Sequence, residues 1–376
     1  MSTGPLTGIR IIEVGHMLAG PYCGLLLADM GAEVIKIEPP EGDIARKVSP
    51  HFIGPHNAYF ASLNRNKKSV VLDLASEEGR AALESLASSA HALVTNLRPS
   101  AIKKLGLTYE ALTACNSKLV CVALTGYGLD GPYAESPAYD YVIQAITGVM
   151  SLTGDPDSPP TKAGYSAVDN SAGIMAALGL LAKIVEGRGG QVDVAMYDVM
   201  LSQLNYLAGA TLNAGEVMGR LANSSHPYMV PAQIFPTADG WLTLFITHDK
   251  FWQKFCLEIG RPHWTTDPQF ATMAARRVNR RPVLSAIGEV LMSTSATEWV
   301  RRLAPLGVVA SEIGSLSQAL DSQLTHARDM VVPLGNGEYP LRAVASPLKF
   351  DGHTPRYDLP PLLDQHHAEV LGGMVA

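Results

Sequence analysis

Residues 8–43, GIRIIEVGHMLAGPYCGLLLADMGAEVIKIEPPEGD, decide the fold. Ile9–Val14 (IRIIEV) is apolar and β-branched and reads as a strand. Ala19–Ala32 (AGPYCGLLLADMGA) reads as a helix, and Glu33–Glu38 (EVIKIE) as a second strand. Two strands joined by a helix are most simply parallel neighbours in one sheet. The same alternation continues outward from this unit. Ser69–Leu74, His91–Leu97 and Lys118–Gly126 read as further strands, with a helix from about 77 to 88. Gln191–Met196 is a strand within a helix-rich middle section. The predicted fold class is therefore α/β, a mostly parallel sheet covered by helices on both faces. Ligands of such sheets bind beyond the carboxyl ends of the strands, which singles out the loops Gly15–Gly20, Asn96–Ser100 and Thr125–Pro132.

The texture changes after Ser224. Ile234–Thr247 reads as a hairpin turned at Asp239-Gly240, and helices follow near 251–259 and 281–291. The expected organisation is a large domain from residues 1–215 with 330–376, and a smaller α+β domain at 220–325. The chain has 376 residues, 47% of them hydrophobic and only 17% charged, against a usual charged share of about 25%. Low charge predicts a large interior or a large subunit interface. A net charge of −6 supplies no cationic field for nucleic acid or an anionic membrane. The longest uncharged apolar stretch, near 172–182, falls short of the ~20 residues of a membrane span. No secretion signal is read at the N-terminus, so the expected location is the cytoplasm. Cys23, Cys121 and Cys256 lie in apolar runs and read as buried free thiols.

Generic motifs add little. The first turn, Gly15-His-Met-Leu-Ala-Gly20, lacks the G-x-G-x-x-G spacing, and no Walker loop occurs. His366–His367 read as a solvated tail. Two basic patches, Asn64–Lys68 (NRNKK) and Arg98–Lys104 (RPSAIKK), sit beside strands and are either phosphate grips or solvated faces. Asp169 precedes the apolar run Asn170–Val185 and reads as its N-cap. A carboxylate there also feels the positive end of the helix dipole, which is expected to keep it ionised.

Longer blocks carry a resemblance. Gly8–Asp43, NRNKKSVVLDL (Asn64–Leu74), VTNLRPSAIKKLGL (Val94–Leu107), TGYGLDGPYAESPAYDYVIQAITG (Thr125–Gly148) and GGQVDVAMYD (Gly189–Asp198) together resemble the family III CoA-transferases (CaiB/BaiF). IFPTADGWL and CLEIGRP extend the likeness into the second domain. The resemblance implies a Rossmann-like large domain, a small domain and an interlocked homodimer. It implies a CoA-transferase moving CoA between an acyl-CoA donor and a small carboxylic acid, dicarboxylic acids such as succinate included. Asp169 is then the nucleophile, working through an aspartyl anhydride. Contacts to CoA carry over to Met17, Leu18, Ala19, Leu72, Ala75, Asn96, Leu97, Arg98, Lys104 and Leu105, with Tyr139 and Asp140 beside the reacting thioester. No metal and no resident cofactor are implied, since coenzyme A is substrate and product. The partners are acyl-CoA, a carboxylic acid and a second subunit. Formyl-CoA transferases carry glutamine where this chain has Leu18, which argues against formate–oxalate exchange. Racemase members carry histidine where this chain has Tyr139. The alternatives are a 2-methylacyl-CoA racemase or epimerase, disfavoured by Tyr139, and a non-catalytic acyl-CoA-binding protein, disfavoured by Asp169.

Overall fold

The computed structural model of the chain describes residues 4–372. Six strands form one parallel sheet: β1 (Arg10–Val14), β2 (Glu33–Glu38), β3 (Lys68–Val71), β4 (Ala92–Thr95), β5 (Val120–Thr125) and β6 (Gly190–Ala195). Their order is β3-β2-β1-β4-β5-β6, with every neighbouring pair parallel. This is a doubly wound order, and its direction reverses between β1 and β4. β4 and β5 are buried throughout, as their unbroken apolar sequences require of strands covered on both faces. Helix α1 (Ala19–Asp29) follows β1, α2 (Glu77–Ser89) follows β3 and α3 (Pro99–Lys104) follows β4. Ser76 caps α2 by accepting from the Gly79 N–H.

Two compact units are present. The first takes the N-terminal stretch up to Thr147, then Gly164–Ala208, then the stretch from Ser322. The second takes Gly148–Ala163 and Gly209–Asp321, so the segment 148–163 belongs with the second unit rather than with the sheet. In that unit β7 (Ala232–Pro236), β8 (Trp241–Phe245) and β9 (Val309–Glu312) form an antiparallel sheet over a core containing Trp252, Phe255, Trp264 and Trp299.

Charged groups buried at the carboxyl end of the parallel sheet hold its loops. Lys36 Nζ lies 3.0 Å from Glu13 Oε1 and 2.9 Å from Asp43 Oδ2, and Lys67 Nζ lies 2.7 Å from Glu13 Oε2. Burial pushes Glu13 up, but Lys67 and Lys36 outweigh it and hold the carboxylate below its ordinary range. The NRNKK patch is neither a phosphate grip nor a solvated face. Arg65 pairs with buried Asp29, Lys67 with Glu13, and Lys68 with Glu33 and Glu369. His366 is likewise no solvated tail. Its Nδ1 accepts from Ser69 N–H at 3.2 Å while the backbone N–H of His366 donates to Ser69 O, closing the free edge of β3.

The long apolar run also departs from expectation. Helix α4 spans Ala167–Glu186, long and apolar enough to cross a membrane by length and composition. It packs instead along α1 and β5. Gly173 permits this: a Cβ there would stand 2.8 Å from Ala19 O.

Glu13→Gln keeps the shape of the side chain but leaves two buried ammonium groups with one anion fewer. Unfolding free energy from urea titration is expected to fall by about 3–5 kcal/mol.

Candidate active site

Three side chains fasten the loop after β1. Asn96, just past β4, accepts from His16 N–H through Oδ1 at 3.0 Å and donates from Nδ2 to His16 O at 2.9 Å. Lys36 Nζ donates to Gly15 O at 2.9 Å. Asp43 Oδ1 accepts from Met17 N–H at 3.2 Å, and Met17 stands at φ 63°, a left-handed conformation unusual for this residue type. Helix α1 begins two residues later.

Asp169 enters from α4. It is not the N-cap: Ser166 holds that position, and Asp169 is an acidic residue of the first turn. The side chain that serves the helix end is Asp140, whose Oδ1 accepts from Val168 N–H at 2.8 Å and whose Oδ2 accepts from Gln144 Nε2 at 2.7 Å. Asp140 is buried and its carboxylate is held inside the protein. The helix dipole does not set the acidity of Asp169. Burial first, and the Asp140 charge second, push Asp169 up to about 7.

Asp169 lines a pocket of about 140 Å³ with His16, Met17, Leu18, Ala19, Tyr59, Asn96, Leu97, Arg98 and Tyr139. Leu72, Ala75, Leu97 and Leu105 line a second, mostly apolar pocket of about 510 Å³, with His16 again on its wall. Both pockets lie over the carboxyl ends of the strands. Of the sequence-predicted residues, Asp140 and Lys104 line neither. Lys104 is exposed in the last turn of α3, and Arg98 is exposed before that helix. Among the wall residues, Tyr59 was not singled out by the sequence, and His16 only as part of the loop Gly15–Gly20. Tyr59 looks like an ordinary helical aromatic, yet burial first, then the charges of Asp169 and Asp43, push its phenol up. In His16, burial outweighs the pull of Asp43 and holds the imidazole below its ordinary range.

The chain matches the family model described as CoA-transferase family III over residues 6–367. The chain belongs to that family. It is 34% identical to a succinate–glutarate CoA-transferase of Agrobacterium fabrum, covering 98% of this chain and 95% of that protein. It is 33% identical to an acetyl-CoA:oxalate CoA-transferase of Acetobacter aceti, again over 98% of this chain and 95% of that protein. A crystal structure of a CaiB/BaiF family protein from Brucella suis superposes with a TM-score of 0.87 at 31% identity, covering 99% of both chains. The resemblance read from the sequence thus holds along the whole chain, and this family III member is an enzyme of the CoA-transferase type.

A carboxyl group whose folded-state pKa is raised gives stability that is present at low pH and lost as pH rises. For Asp169 the loss runs from the unfolded value near 4 to about 7. Asp169→Asn removes that penalty. Its melting temperature relative to the native chain is expected to climb between pH 4 and pH 7 and to level off above pH 8, as read by calorimetry across pH.

Proposed function

We propose that this family III enzyme exchanges CoA between an acyl-CoA and a small dicarboxylic acid, with Asp169 as the covalent nucleophile. The observation that carries the reading is the Asp169 carboxyl, in a small pocket at the switch-point end of the sheet, with its pKa raised to about 7. Such a carboxylate is more basic, hence more nucleophilic, than an exposed one, and a large fraction of it is ionised at neutral pH. The dicarboxylate class is supported by relatives named for succinate and glutarate, for succinyl-CoA and D-citramalate, and for succinyl-CoA and mesaconate.

The chemistry conserves the thioester. Asp169 Oδ attacks the thioester carbonyl carbon, the C–S bond breaks, and CoA leaves as thiolate from a mixed aspartyl anhydride. The thiolate attacks the Asp169 carbonyl carbon, giving an aspartyl–CoA thioester and releasing the donor carboxylate. The acceptor carboxylate attacks the same carbon and displaces the thiolate, forming a second anhydride. The thiolate then attacks the acceptor acyl carbon, releasing the new acyl-CoA and the Asp169 carboxylate. No net proton is gained or lost, and water is the competitor to exclude. In this reading Met17, Leu18, Ala19, Leu97 and Tyr139 border the thioester, and the apolar pocket of Leu72, Ala75 and Leu105 takes the adenine. Arg98 and Lys104 are then left to meet the phosphates as charge partners. Coenzyme A serves as substrate and product, with no resident cofactor.

Substituting Asp169 tests the nucleophile directly. Asp169→Asn is expected to remain folded and to bind CoA, while exchange between succinyl-CoA and glutarate falls to background. Hydroxylamine, which traps an acyl-aspartate on the native chain, is expected to trap none on the variant. Substantial exchange by Asp169→Asn, with deamidation excluded by mass spectrometry, overturns the reading.

We further propose a homodimer, interlocked as in the family, in the cytoplasm. Its support is apolar surface left uncovered in the first unit. Ile174, Met175 and Leu178 on α4 and Tyr141, Val142 and Ile146 before it are all exposed. An interlocked pair buries well over the ~1,600 Å² of a standard interface, so light scattering at nanomolar concentration is expected to find twice the chain mass.

A further inference from the structure

The side chain of Asn96 crosses the switch point. It leaves the end of β4 and takes the backbone N–H and C=O of His16, which follows β1. A carboxamide holding one residue by both backbone groups, Oδ1 on N–H and Nδ2 on C=O, bridges two consecutive peptides with the acceptor and the donor that face them. The close approach requires a missing side chain opposite. A Cβ at Gly15 would fall 2.4 Å from Asn96 Oδ1 and 3.4 Å from its Cγ, and the next atom, Asn96 N, lies at 3.7 Å. Gly15 does not adopt the left-handed backbone that forbids side chains, so only Asn96 stands against an alanine there.

The residue so held is part of a wall. His16, Met17 and Leu18 line the pocket of Asp169, and His16 also lines the apolar pocket beside it. Lys36 and Asp43 hold the peptides on either side of His16, but both lie on the β2 side of β1. Asn96 alone of the three reaches the loop from β4.

We propose that Asn96 is a positioning residue: it ties the loop after β1 to the loop after β4 and thereby sets the wall facing Asp169, rather than binding CoA through its carboxamide. This rests on the reading of that pocket as the transfer site. Its signature is a specific coupling between positions 15 and 96. Gly15→Ala pushes the carboxamide off the His16 backbone, while Asn96→Ala removes the carboxamide and with it the obstacle to the new methyl group.

The test is a double-mutant cycle on the full chain, with kcat and KM measured for exchange between succinyl-CoA and glutarate and CoA affinity measured by calorimetry. Gly15→Ala and Asn96→Ala are each expected to lower kcat by up to about 100-fold, the effect of a wall displaced by about an ångström. Acyl-CoA KM and CoA affinity are expected to stay within about threefold of native. The double variant is expected to be no worse than Asn96→Ala alone. Asn96→Asp keeps an oxygen opposite Gly15, so in that background Gly15→Ala keeps its full penalty, and this arm serves if Asn96→Ala does not fold. A large loss of CoA affinity in Asn96→Ala with kcat intact, or penalties that multiply in the Gly15→Ala/Asn96→Ala pair, overturns the proposal. Melting temperatures of the same variants read the coupling without turnover. Failure of the transfer reading therefore appears as an inactive native chain with the coupling intact.

Discussion

The buried ammonium of Lys36 is the constraint on which the active end of the sheet depends. It is wholly enclosed, with Glu13 of β1, Asp43 beyond β2 and the Gly15 carbonyl around it. An enclosed charge is tolerable only when its partners are complete and well placed, since loss of one leaves a desolvated ion. The loops after β1 and β2 are therefore fixed relative to each other. Asp43, so fixed, accepts from Met17 N–H and from Ala45 N–H. Met17 in its left-handed conformation starts α1 at Ala19, and α4 crosses α1 where Gly173 meets Ala19 O. Asp169 lies one helical turn before Gly173. A chain of short-range contacts thus runs from an ion pair in the sheet to the candidate nucleophile.

How much of this was legible follows from what each signal depends on. The strands could be read because a sheet covered on both faces needs unbroken apolar runs, and Val120–Thr125 and Ala92–Thr95 supply them. The hairpin at Asp239-Gly240 could be read from local turn chemistry, and β7 and β8 do flank it. Helix starts were less legible. An acid ahead of an apolar run suits the N-cap or the first turn equally well, and the apolar period cannot separate positions three residues apart. What decides is tertiary: Asp140, distant in sequence, already serves the Val168 N–H. The NRNKK patch failed for the same reason. A cluster of cations looks solvated until its partners are known, and Asp29, Glu13, Glu33 and Glu369 are scattered from one end of the chain to the other. Tyr59 carried no signal at all, and His16 only its place in the loop Gly15–Gly20, because their positions on the pocket wall come from segments meeting across the sheet.

The electrostatics of Asp169 turn on magnitudes. A helix N-terminus stabilises a first-turn carboxylate by about 0.3–1 kcal/mol, enough to lower its pKa by well under one unit. The shift from an ordinary aspartate to about 7 runs the other way and is several times larger. Burial is its first cause and the neighbouring carboxylate of Asp140 its second. Asp140 acts twice, because it also occupies the Val168 N–H, one of the few unpaired donors of the α4 terminus. The feature that would have kept Asp169 acidic is engaged by a competing anion. A carboxylate in this setting is strained as an ion and relieved when its charge is dispersed, as it is on forming a neutral acyl anhydride. In the proposed transfer, attack on a thioester carbonyl carbon is such a dispersal. The burial and the Asp140 charge that raise the pKa therefore come from groups that belong to the fold itself.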